Sequence, residues 1–258
     1  MPLRPWFGSF ELVAMMIRLR IAWLLVACLC MPLVSSAQSP QSHAVVSLRE
    51  LSIPPKAVRE FQKGIDRLEK EDASGSLPHF DRAIADFSNY YEAYFEIGIA
   101  DLKLSRVADA EQALRKSVEL SASHYADALF ALGGILIKQN KFTEGEKVLR
   151  EALNLNPTSW AGNYCLGWAL FGLNRFQDAE KSVREALRLK SDSADAYLLL
   201  ADIHGHLHDF STLLQDLDEY LKLEPNGPIN DKVRSLRGIA EQAILESQNT
   251  SAAVQPEL

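Results

Sequence analysis

Only three cysteines occur in 258 residues, and two of them, Cys28 and Cys30, lie in an N-terminal apolar run. With that run removed Cys165 stands alone, no intrachain disulfide can form, and stability has to come from packing. Thirteen Gly and eleven Pro are too few for a fibrous or low-complexity chain. Val, Ile and Thr in period-two alternation are nearly absent after residue 56, while Ala, Leu, Glu and Lys abound, which argues for an all-α chain. Neither G-x-x-x-x-G-K-[ST] nor G-x-G-x-x-G occurs, so no phosphate or dinucleotide loop and no cofactor are expected. Cys165, mid-helix between Tyr164 and Leu166, reads as packing and not as a nucleophile.

Long apolar runs are also scarce. The one of note, Ile21–Val34, is 14 residues long, short of the roughly 20 that cross a bilayer. Arg18 and Arg20 precede it and small residues, Ser35 to Ala37, follow it, the pattern of a secretory signal peptide over residues 1–37, with Met16 as a possible true start. The alternative is a retained anchor over residues 16–36. Residues 1–37 hold three Arg and one Glu, so a total charge of −7 becomes −9 for the rest. So acidic a chain is not expected to bind nucleic acid, or a membrane unless the signal segment is retained.

What the sequence does contain is self-similarity. Gly64, Gly98, Gly133, Gly167 and Ala201 stand 34, 35, 34 and 34 residues apart. Sixteen residues after each come Phe80, Leu114, Leu149, Val183 and Leu217; nineteen after come Ala83, Ser117, Ala152, Ala186 and Tyr220. Small, large and small again suits a helical hairpin in which a small residue lets two backbones approach and a bulky one fills the groove. Asn140, Asn174 and His208 begin the segments between the paired helices, where a left-handed residue can end a helix.

These columns resemble the tetratricopeptide repeat, a helix-turn-helix unit of about 34 residues, and in particular stand-alone repeat proteins of the exported bacterial type. The resemblance implies an α-solenoid of about five repeats over residues 57–227, divided 57–90, 91–125, 126–159, 160–193 and 194–227. A 38–56 linker precedes it; a 228–246 capping helix and a disordered tail over 247–258 follow. The fifth repeat, with Leu213 and Tyr220 where small residues belong, is expected to pack less regularly.

The resemblance further implies a concave face lined by first helices, which takes an unidentified protein or peptide. Phe61, Ile65, Phe95, Ile99, Phe130, Tyr164, Trp168 and Phe171 fall on that face by their spacing, an aromatic and apolar stripe that is an interaction surface where exposed and core where not. The family's clamp for acidic C-termini does not carry over, because Phe61, Ile65 and Glu96 occupy its basic and amide positions.

One stretch competes with this non-enzymatic reading. His204, His206 and His208 alternate beside Asp209, and a metal-dependent hydrolase could use such a cluster. A zinc site, however, needs three or four convergent ligands. His204 falls in the column of Leu136 and Leu170, hence between helices, while His208 falls in the turn column, so the rings are expected to diverge.

Overall fold

The computed structural model describes residues 52–253; the export or anchor segment, nearly all of the linker and the last residues of the tail lie outside them. Eleven α-helices and no strand make up the described part. Five hairpins come first: α1 (Pro55–Glu69) with α2 (Ala73–Asp86), α3 (Tyr91–Lys103) with α4 (Val107–Leu120), α5 (Ala126–Lys138) with α6 (Phe142–Leu155), α7 (Trp160–Gly172) with α8 (Phe176–Leu189), and α9 (Ala194–His206) with α10 (Phe210–Leu223). A single helix, α11 (Asn230–Ala253), follows.

Every hairpin turn is made the same way. Glu71, Ser105, Asn140, Asn174 and His208 all have φ between 58° and 60°. The next residue's N–H then donates to a carbonyl five residues back: Asp72 to Arg67, Arg106 to Asp101, Lys141 to Leu136, Arg175 to Leu170 and Asp209 to His204, all at 2.8–2.9 Å. Those bonds occupy carbonyls that a helix end would otherwise leave bare. The 35-residue spacing is absorbed between α4 and α5, where Ala122 and Ser123 are also left-handed.

The small-large column sets how closely each hairpin closes. A β-carbon on Gly98 would come within 2.7 Å of Leu114 Cγ, one on Gly133 within 2.6 Å of Leu149, and one on Gly167 within 2.5 Å of Val183 Cγ2. The first-helix backbone thus lies directly against the bulky residue of the second helix, and only glycine fits.

The chain divides into two units, Met1–Pro157 and Thr158–Leu258. In the first, the core runs from Ala57, Leu68 and Phe80 through Ala93 and Ala100 to Phe95, Leu114, Leu132 and Leu136. In the second, Leu198, Leu213, Leu217 and Tyr220 form a cluster with Val233 and Ala240 of α11. Leu213 and Tyr220 are both buried there, so these large side chains pack within the cluster that α11 completes. Arg237 of α11 also donates to Asp218 of α10 at 2.7 Å. The helix runs past Glu246 to Ala253, into the stretch expected to be a disordered tail. Among the described residues no helix is long and apolar enough to cross a membrane.

Candidate functional site

The eight stripe residues fall to different fates. None is exposed. In the first unit Phe61 stacks on Tyr90 (4.9 Å between ring centres) and tilts against Phe80, so it packs between helices. Phe95 is 3% exposed and meets Tyr125 edge-on at 5.3 Å. Ile65 and Ile99 are half-buried against neighbouring core clusters, and Phe130 is half-buried.

In the second unit Tyr164 (5% exposed) and Trp168 (7%) are buried and meet edge-on, while half-buried Phe171 continues the chain of rings to Phe176. As an exposed stripe the reading therefore fails for Phe95, Tyr164 and Trp168. Phe95 packs on Tyr125 at the start of the next hairpin, Tyr164, Trp168 and Phe171 pack on one another along α7, and ring-to-ring packing consumes the apolar area.

A feature missed from sequence lies beside Phe95. Tyr91 and Tyr125 have ring centres 5.2 Å apart, and the charges of Asp127 on α5 and Glu96 on α3 both act on the Tyr125 phenol. Burial, then the charge of Asp127, pushes Glu96 up to about 7. Asp127 is raised by burial; the Tyr125 phenol is raised by burial and by the charges of Asp127, Glu96 and Glu92. Glu96 and Asp127 have no hydrogen bond or ion pair among the described residues. Asp127 also stands in the first turn of α5, where the helix dipole favours an acid, but Glu96, farther along α3, has no such reason. The available signal was acidic residues on successive first helices; their convergence was not readable.

The three histidines go to three places. His204 is 2% exposed, with both ring nitrogens facing carboxylates. His206 stacks on Phe176 at 4.7 Å and meets Phe171 edge-on. His208 holds the left-handed turn. Asp209 caps α10, its carboxylate accepting from the Thr212 N–H (3.1 Å) and hydroxyl (2.6 Å). Among the described residues no group of three or more His, Cys, Asp or Glu is arranged to hold a metal.

No curated protein matches the chain by sequence. Among solved structures, MamA from residue 41 to its end, from Desulfovibrio magneticus RS-1, matches with a TM-score of 0.62 at 19% identity, covering 69% of this chain and 99% of that one. YrrB, described as a TPR protein with an unusual peptide-binding site, matches with a TM-score of 0.61 at 16% identity, covering 69% and 92%. Such identities show a common fold. The tetratricopeptide repeat model matches residues 61–125, 96–159 and 164–228, more than half of the sequence. With its paired helices, its five identical turns and the small-large column that closes each hairpin, the chain belongs to the tetratricopeptide repeat family.

Proposed function

We propose that the chain is a non-enzymatic scaffold for protein–protein interaction, exported to the periplasm or cell exterior, and that the first-helix face of its first unit takes a positively charged, partly apolar segment of a partner. The observation that carries the reading is the Glu96–Asp127 pair. Two half-buried carboxylates on neighbouring first helices, the charge of one acting on the other and no described cation on either, form a site whose desolvation cost a bound Lys or Arg would offset. Half-buried Ile99 and Phe130, spaced along the same first-helix faces, supply apolar contact. The similarity in fold to YrrB, whose described site binds peptide, supports a peptide-like ligand. Export rests on the charged, apolar and small-residue order of residues 18–37.

The test is fluorescence-anisotropy titration of the chain from Gln38 with synthetic peptides that share apolar residues but differ in charge. Basic peptides should bind, more tightly at pH 8 than at pH 6 as Glu96 ionises. The double variant Glu96→Gln/Asp127→Asn should weaken binding by about tenfold or more while its thermal midpoint is kept or raised. Equal binding of acidic peptides, or an unaffected double variant, would refute the charge assignment. Mass spectrometry of the mature N-terminus tests export: a start at Gln38 supports it, and a retained 16–36 segment makes the protein a membrane-tethered assembly factor instead.

A further inference from the structure

Buried His204 lies between two acids contributed by different helices. Its Nδ1 is 2.5 Å from Asp216 Oδ2 on α10, and its Nε2 is 3.4 Å from Glu180 Oε1 on α8. A neutral imidazole has one N–H and one lone pair, so it can donate to only one of these carboxylates; an imidazolium donates to both. The geometry points to His204 as a pH-responsive lock that, in its protonated form, pins the α9–α10 hairpin to α8 and releases it when the proton leaves.

The charges around the ring support this. From α8, Glu180 is bonded to Arg184 at 2.7 Å, and Arg184 also acts on Asp216. From α10, Asp216 is itself buried (6% exposed), and the capping Asp209 feels the imidazolium charge. Helix α7 carries no charged residue, and α9 itself carries Asp195, Asp202 and His206. With His204 protonated, two cations and two anions balance in the His204–Arg184–Asp216–Glu180 group. Without the proton, Asp216 remains a buried anion beside a neutral ring, a costly arrangement.

Burial alone would pull His204 down, but the hydrogen bond and charge of Asp216, then those of Glu180, outweigh it and raise the imidazole above its usual 6.5. Asp216 is raised too, by burial, against the pull of His204. Both shifts have the same sign. The folded hairpin holds the proton more tightly than the unfolded chain, so the stabilisation is complete below 6.5 and is lost as pH rises through the raised value.

The corresponding positions in the third repeat are apolar, Leu136 and Val148, and they pack in one cluster. The double variant His204→Leu/Asp216→Val therefore offers a pair that folds without a proton. The experiment is hydrogen exchange of the full chain between about pH 6 and pH 9, read by mass spectrometry and corrected for intrinsic exchange, with the α1–α2 hairpin as an internal reference. Peptides from 194–223 of the wild type should lose about tenfold protection or more across that range, while the reference hairpin and the double variant stay flat. A wild-type 194–223 region that is equally flat, or a double variant with an unchanged pH response, would overturn the assignment.

Discussion

Val183 Cγ2 lies 2.5 Å from the point where a β-carbon on Gly167 would stand. The relation recurs in neighbouring repeats, so the glycine column records a close approach of two helices. Gly167→Ala should push α7 from α8 and destabilise the protein by about 1–3 kcal/mol. Gly134 offers the contrast, since nothing lies within 4 Å of its β-carbon position. Gly134→Ala should be neutral or stabilise by about 0.5–1 kcal/mol through helix propensity. Urea midpoints of the two variants check both; equal effects would show that the close approach does not matter.

Glu96 supplies a pH prediction for the first unit. Its carboxyl is raised from 4.5 to about 7 by burial and by Asp127. The folded state thus binds that proton more tightly than the unfolded chain. Stability from this group is full below 4.5 and declines as pH rises through about 7. Glu96→Gln should therefore raise stability at pH 8 by about 1–3 kcal/mol and give no gain at pH 4. Thermal midpoints at the two pH values read the effect.

The hairpin turns give a third test. Glu71 and Ser105 adopt φ 60°, a conformation costing an L residue about 1 kcal/mol or more that glycine adopts freely. Glu71→Gly should raise the unfolding midpoint, an effect worth about 0.5–1 kcal/mol, whereas Asn140→Val should lower it by about 1–2 kcal/mol, because a β-branched residue fits the left-handed region worst. Denaturant unfolding of both variants would show the two signs.

Glu111 ties α4 to the turn between α5 and α6. Its carboxylate accepts from Arg115 at 2.7 Å, from Gln139 Nε2 at 2.7 Å and from Lys141 at 3.2 Å, and Arg115 also reaches Glu144 at 2.8 Å. Burial works against the charge, but the bonds from Arg115, Gln139 and Lys141 outweigh it and hold the carboxyl below its usual 4.5. Its stabilisation is present above 4.5 and is lost as pH falls through the lowered value. Glu111→Ala should cost about 1–2 kcal/mol at pH 7, less in high salt, and little at pH 3, as measured by urea unfolding at each condition.

Where sequence and structure agree, the signal was periodic. The columns at Gly98 and Leu114, or Gly133 and Leu149, lie within one hairpin, so their pairing could be read from a constant offset along the chain. The left-handed turns were legible at Asn140, Asn174 and His208. They were not at Glu71 and Ser105, because nothing in those residue types announces a positive φ; closure of the hairpin imposes it. The stripe was legible as a set of residues on one helix face, yet not as buried or exposed, since that depends on how far Tyr125 leans onto Phe95 and Phe171 onto Trp168.

The sequence by itself determined the helical hairpin, its length, its turn position and its repetition, because each follows from residue types at short, fixed separations. Only the tertiary structure decided that Glu96 comes under the charge of Asp127 and that His204 is held between Asp216 and Glu180. Those pairs join different helices, and whether two acids crowd together or an imidazole finds two partners depends on the packing angle and spacing of neighbouring helices, which the periodicity of any one helix does not encode.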